Sequence, residues 1–345
     1  MMSKIYSGAN GIRGLAVLLV LFVHSANIFF PGSKPYLMGV GKIGVWLFFV
    51  LSAFLLAKKF IHHPLSPLLL ASYLSGRFLR IIPMFIIALF FYYFLGYYSW
   101  DEFFNILTFK TGFAHLWTIP VEFKFYFLLP FITYFSYSIF AKYGLFGLIF
   151  STTALIFIHQ SIFPFWDLKG NSIEMLWYIP SFLTGIVASI IHEHGISIKN
   201  WLSTLLIIII ALSFIVSSPG VLYYSFGVEM SNYLQKQFIP LSILWSLFII
   251  LLIDGTSSAS KFVTASAMNH LGKWSFSIYL FHYGIYLKVA EYYPQNYMAL
   301  SLSFIASIIA GGVSYNIIEK NIDTMRHSLS NYIMKITTPK RNQTS

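Results

Sequence analysis

Cysteine is absent from all 345 residues, which removes disulfides, thiolate nucleophiles and cysteine-ligated metal or iron–sulfur centres together. Charge is scarce. Asp, Glu, Lys and Arg make up 10% of the chain, where a soluble domain carries roughly a quarter. Apolar residues fill the difference, with 57% hydrophobic and 19% aromatic, and this composition defines an integral membrane protein. The formal charge of +11 does not read as a nucleic-acid footprint, because the cations are scattered between apolar runs instead of lining one soluble face. Membrane topology, anionic lipid or an anionic substrate accounts for them better. Fixed-period repeats, low-complexity tracts and composition shifts are also lacking. The sequence therefore predicts one domain over 1–345, with a core at about 12–320 and a polar basic tail at 321–345.

With about 20 residues needed to cross the hydrocarbon, ten spans are expected. They run from Ile12 to Phe30, Val40 to Ala57, Phe78 to Gly96, Val121 to Phe140, Leu145 to Ile158, Met175 to Ile191, Leu202 to Val216, Phe238 to Ile253, Ser275 to Val289 and Tyr297 to Ile318. Prolines and glycines, among them Pro31, Gly32, Pro64, Pro67, Pro219 and Pro294, punctuate the intervals. The longest polar connections, Lys58 to Arg77 and Ser217 to Gln237, are too short for a second domain. With the N-terminus inside, only Lys34, Lys42, Lys110, Lys169 and Lys236 fall in outer loops, and Lys124 and Lys288 lie within spans. The remaining fifteen of the 22 cations are then inside, Lys4, Lys199, Lys340 and Arg341 among them. That bias predicts an all-α bundle with both termini cytoplasmic. The first apolar run is long and lacks a clear small-residue cleavage site, so it is expected to act as an uncleaved anchor.

Two polar residues interrupt that first run, "GIRGLAVLLVLFVHS". Arg13 and His24 are eleven residues apart, three helical turns plus about 20°, so they share a face about 16 Å apart with Val17 and Val20 between them. Arg13 is expected at the cytoplasmic rim, where a snorkelling anchor is the simplest role, and His24 beyond mid-membrane. Intramembrane ionisable groups are costly enough to mark function by default, although a hydrogen-bonded interhelical histidine is the plainer reading of His24. In the second span, Gly41, Gly44, Phe48 and Ser52 share a face that suits helix packing or a slot for a slender ligand. "GRFLRIIPMF" sets Arg77 and Arg80 one turn apart at a cytoplasmic mouth. Two guanidiniums there suit a phosphate-rich ligand, and positive-inside flanking explains them equally. "HLWTIPVEFKFYFLLP" puts Glu122 near a helix start, either as a partner of the helix dipole or as a carboxylate that orients a polar acceptor near His24. "KWSFSIYLFHYG" aligns Ser275, Tyr279 and His282 in one stripe and brings a second histidine to mid-membrane depth.

Taken in order, these segments resemble the acyltransferase-3 family of membrane proteins that O-acylate bacterial surface carbohydrates. The resemblance covers roughly Ile12 to Lys320. It rests on the Arg-x10-His pair, "GKIGVWLFFVLSAF", "RFLR" with Pro83, "LWTIPVEFKFYFLLP", "SFSIYLFH" and "YNIIEK". It implies a cytosolic acyl-CoA donor, usually acetyl-CoA, with no tightly bound cofactor, and a carbohydrate hydroxyl on the far side as acceptor. Lipopolysaccharide O-antigen, capsule or another exopolysaccharide would be modified at a bacterial inner membrane. By the same resemblance Arg13 and His24 match the family's essential pair, Arg77 and Arg80 its donor-side arginines, and Glu122 its outer carboxylate. Ala53 and Asn321 depart from it, standing where Gly and Pro are usual. No hydrolase-like domain is appended in this sequence, so transfer is expected to be completed alone or with a separate partner.

The residues suit that chemistry in their own right. A neutral imidazole can accept the acceptor hydroxyl's proton as it attacks a thioester, which assigns His24 as general base. Without cysteine, an acyl-histidine or acyl-serine intermediate remains open. Arg13, Arg77, Arg80 and Ser52 are the expected donor contacts, and His282, Tyr279 and Trp117 the expected acceptor or pocket contacts. Two other functions fit a polar-lined bundle: a transporter or flippase for a lipid-linked sugar, and a non-catalytic scaffold. No inverted repeat supports the transporter.

Overall fold

The computed structural model describes residues 6–195, 200–231 and 233–336, which form helices and connecting turns with no strand among them. Lys4, Lys199, Lys340 and Arg341, counted above, lie outside the described residues. In chain order the α-helices begin with α1 (Ala9–Phe29), α2 (Val40–His62), α3 (Pro67–Phe94), α4 (Trp100–Leu107) and α5 (Thr118–Ile162). They continue with α6 (Ile179–Glu193), α7 (Asn200–Val216), α8 (Pro219–Phe226), α9 (Phe238–Leu252) and α10 (Ser260–Thr264). The last three are α11 (Ser266–Tyr292), α12 (Tyr297–Ser314) and α13 (Lys320–Ile336), the last two joined through a π turn at Tyr315–Glu319.

Each of the ten expected spans falls mainly on one of these helices, the sixth starting in the turn before α6 and the tenth running on into the π turn. Six helical segments are long and apolar enough to cross a bilayer unaided, or seven if α7 and α8, bent by 80°, are taken as one. The difference from ten has physical reasons. α9 has 15 residues and α7 has 17, and α11 is diluted by Asn269, His270, Lys273 and Ser275. The expected fourth and fifth spans form one continuous element, α5, broken at Gly144 (φ 67°, ψ −161°) within the gap the sequence reading left between them.

Two expected loops are corrected. The Lys58–Arg77 connection is largely helical, because Pro67 starts α3 at the position where its missing N–H costs nothing, and the Ser66 side chain accepts a bond from the Leu69 amide. Pro219 likewise starts α8 inside the Ser217–Gln237 connection. The tail begins as helix α13, which packs along α3.

α1 packs chiefly on α11 and next on α2, α2 packs on α6, and α11 packs on α12. Glycines allow the central contact. A Cβ at Gly272 of α11 would lie 1.7 Å from the Asn10 carbonyl oxygen of α1, and one at Gly11 would lie 1.7 Å from the Val263 carbonyl oxygen of α10. Gly44 meets the Ala16 carbonyl in the same way at 2.7 Å, so it is a packing residue. Ala53, one of the departures noted above, is fully buried, with its Cβ 3.0 Å from the position of a Cβ on Gly185. Its methyl group is accommodated by the glycine on α6.

Gly272→Val should lower the melting temperature in detergent sharply, with an overpacking cost of about 1–3 kcal/mol or more. Gly32→Ala, where a Cβ meets nothing within 4 Å, should leave it unchanged. Equal melting of both variants would show that α1 and α11 do not depend on this contact.

Candidate active site

Two cavities open along the inner face of α1. The first, of about 120 Å3, is lined by Arg13, Ser52, Arg77, Arg80, Glu122 and Tyr126 among others. The second, of about 500 Å3, is lined by His24, Asn27, Lys34, Lys42, His115 and Trp117 among others, within the usual range for a ligand site. Val45 and Tyr279 line both and form the partition between them. The Arg13/His24 face expected from helical geometry is thus divided: the arginine serves one cavity and the histidine the other, with Val17 and Val20 buried between them.

His24 is held by His282. The His24 Nδ1 to His282 Nε2 distance is 2.8 Å, with the two rings parallel to within 2°. The tautomers follow from the next partners along. His282 Nδ1 lies 2.8 Å from the Tyr279 carbonyl oxygen and 3.1 Å from that of Ile278. Carbonyl oxygens only accept, so Nδ1 of His282 carries its hydrogen and Nε2 of the neutral ring holds a lone pair. His24 therefore donates from Nδ1, which leaves its own Nε2 unprotonated. That atom is 3.9 Å from where a Cβ on Gly41 would stand, and both residues line the second cavity. His282 is fully buried and lines neither cavity. The sequence reading expected it as an acceptor or pocket contact; here its ring is hydrogen-bonded to His24 instead of lining a cavity wall.

Glu122 is also relocated. α5 begins at Thr118, so Glu122 lies past the first turn, where the helix dipole acts weakly. It lies in the first cavity, not beside His24, and accepts 2.6 Å bonds from Ser52 Oγ and the Tyr126 hydroxyl. Arg80 lines that cavity but is already paired, at 2.6 Å with Glu319 and 3.0 Å with Asp323. Glu319 comes from the π turn, is almost completely buried, and also accepts a bond from Ser277. Arg77 reaches the same cavity with no carboxylate partner among the described residues, its guanidinium 5.9 Å from the Tyr126 ring centroid. Tyr279 donates its single hydroxyl proton to the His115 carbonyl and meets Thr118 Oγ1 at 2.8 Å. It is committed to holding the partition. Trp117 lines the second cavity.

Sequence reasoning did not single out His115 or Tyr126, and it counted Lys42 among loop cations. His115 stacks against Tyr283 and sits edge-on to His282, 4.8 Å between centroids. Its place two residues before Trp117 in "HLWTIPVE" was the available signal. Lys42 lies in the first turn of α2, with its ammonium enclosed. Among the described residues no group of three or more His, Asp or Glu side chains is arranged to hold a metal ion.

The helical bundle thus holds an oriented histidine pair beside one cavity and three arginines around the next. Residues 6–317 match the model of an acyltransferase domain, the acyltransferase-3 type, and the chain belongs to that family. It is similar to a putative O-acetyltransferase of Staphylococcus aureus (strain COL), 23% identical over 90% of this chain and 56% of the relative. It is also similar to the O-acetyltransferase OatA of S. aureus (strain NCTC 8325 / PS 47), 23% identical over 93% of this chain and 58% of the relative. The chain spans little more than half the length of these relatives. No solved structure matches it.

Arg80→Ala should strip the buried Glu319 of its counter-ion and cost about 3–5 kcal/mol. The paired apolar change Arg80→Met with Glu319→Met should recover most of that stability. Thermal unfolding of the three proteins decides the point, and a single Arg80→Ala as stable as wild type would show the pair to be structurally idle.

Proposed function

We propose that this protein is a membrane O-acyltransferase that moves an acyl group, with acetyl preferred, from cytosolic acyl-CoA to a hydroxyl of an extracytoplasmic carbohydrate. The observation that carries the proposal is the oriented histidine pair, which presents a lone pair at His24 Nε2 to the larger cavity while a basic cavity lies beyond Tyr279. Membership of an acyltransferase family and likeness to O-acetyltransferases support it.

In this reading the first cavity takes the donor from the cytoplasmic side. Arg77 meets a donor phosphate, since its guanidinium lacks a carboxylate partner, and Arg13 meets polar atoms of the pantetheine arm. Arg80 has a smaller share than the sequence suggested, because Glu319 and Asp323 occupy it. The thioester passes Val45 and Tyr279 to reach His24. There Nε2 accepts the acceptor hydroxyl's proton as the hydroxyl oxygen bonds to the acyl carbon. The carbon–sulfur bond then breaks, and the CoA thiolate leaves with the proton returned from His24. His282 keeps the base in the correct tautomer and shares the positive charge that develops on it. Lipopolysaccharide O-antigen, capsule or another exopolysaccharide at a bacterial inner membrane is the acceptor setting we propose.

His24→Ala at matched protein levels should cut acyl transfer by about 10²–10⁴-fold. O-acetyl content of envelope polysaccharide, measured by mass spectrometry in a complemented deletion strain, is the readout. Unchanged acetylation would remove His24 as base, and a purified protein that never consumes acetyl-CoA would favour a carrier of lipid-linked sugar. His282→Phe should lower kcat by roughly 10-fold or more with donor KM unchanged, as expected for a mis-set tautomer. Arg77→Gln should instead raise donor KM, with stability within about 0.5 kcal/mol of wild type.

A further inference from the structure

The larger cavity has an unbalanced charge. Two lysines line it, Lys34 and Lys42, and no carboxylate does. Lys34 sits in the connection between α1 and α2, where solvent screens it. Lys42 is different. Its Nζ is enclosed by protein, has no hydrogen-bond partner among the described residues, and lies 5.5 Å from the centroid of the Trp117 ring. Lys58 and Arg80, also partly buried, are by contrast paired with Glu193 and Glu319. An ammonium taken out of water without a counter-ion is costly, and an indole face offsets that cost only in part.

The placement gives the cost a use. Gly41, the preceding residue, stands against His24 Nε2, so Lys42 projects from the next position of the same helix into the wall of the same cavity. The side-chain amides of Asn27 and Asn171 line it too, able to bond sugar hydroxyls. We infer that the acceptor glycan carries an anionic substituent, a carboxylate or a phosphate, which Lys42 binds while a hydroxyl is presented to His24. The fate of that hydroxyl rests on the O-acyltransferase reading, but recognition of the anion does not. A neutral glycan would leave the ammonium uncompensated, whereas an anionic one meets it in a partly dry site where charge pairing discriminates strongly.

The test measures binding with no donor present, so it is independent of transfer. The 345-residue chain in nanodiscs of zwitterionic lipid is titrated with methyl glucoside, methyl glucuronide and methyl glucoside 6-phosphate, with saturation-transfer NMR as the readout. Wild type should bind at least one anionic probe about 10-fold more tightly than the neutral one, and added salt should erode the difference. The preferred anion tells carboxylate from phosphate. Lys42→Met should abolish the preference and Lys42→Arg should retain it. If Lys42→Met does not fold, Lys42→Gln takes its place. Equal binding of the three probes, no binding of any, or a preference that survives removal of the ammonium would overturn the inference. Acetyl-CoA turnover on the same preparation reports separately on the enzyme reading.

Discussion

Everything in this site depends on how closely α1 and α11 can approach. Arg13 and His24 are on one of these helices, and Ser275, Tyr279 and His282 on the other. The helices meet backbone to backbone at Gly14 and Gly272, where even a methyl group would collide with a carbonyl oxygen of the other helix. In a bilayer, where apolar side chains gain little by leaving lipid, such contacts rely on close packing. That closeness brings two imidazoles within hydrogen-bonding distance. A side chain in place of either glycine would disturb the 2.8 Å separation of His24 and His282.

The histidine pair solves a problem that burial creates. An isolated imidazole in a membrane interior is free to adopt either tautomer, and only one would leave a lone pair facing the cavity. Here the direction is set by backbone, because the carbonyls of Tyr279 and Ile278 can only accept. The order passes from carbonyl to His282 to His24 without a carboxylate. A triad with an acid would bring a fixed negative charge into the wall. This arrangement keeps that wall free of anions, so its electrostatics are set by Lys34 and Lys42.

Local geometry made part of this legible in the sequence. Arg13 and His24 are in phase on any helix, and the stripe of Ser275, Tyr279 and His282 follows from the same periodicity. The Gly144 break showed as a gap between apolar runs. What could not be read was contact between distant segments: His24 and His282 are 258 positions apart, and Arg80 and Asp323 are 243 apart. "RFLR" looks the same whether its second arginine faces a ligand or a buried glutamate. Proline was misjudged for a local reason, since Pro67 and Pro219 read as loop signals but occupy first turns of helices, where proline is at home. Lys42 was misjudged because position along a chain does not report enclosure.

The partition between the two cavities is built from few residues, and it is tied to the histidine pair. Val45 and Tyr279 are shared walls, and Tyr279 is tied at its hydroxyl to the His115 carbonyl and to Thr118. The tie joins α11 to the start of α5, the same stretch that supplies Trp117 to one cavity and Glu122 to the other. The Tyr279 carbonyl also sets the His282 tautomer. One residue therefore links the partition to the orientation of His24, and a displacement of Tyr279 would be felt at His24 through two hydrogen bonds. The wall between the cavities and the tautomer of His24 are in this way coupled through the side chain and the carbonyl of a single residue.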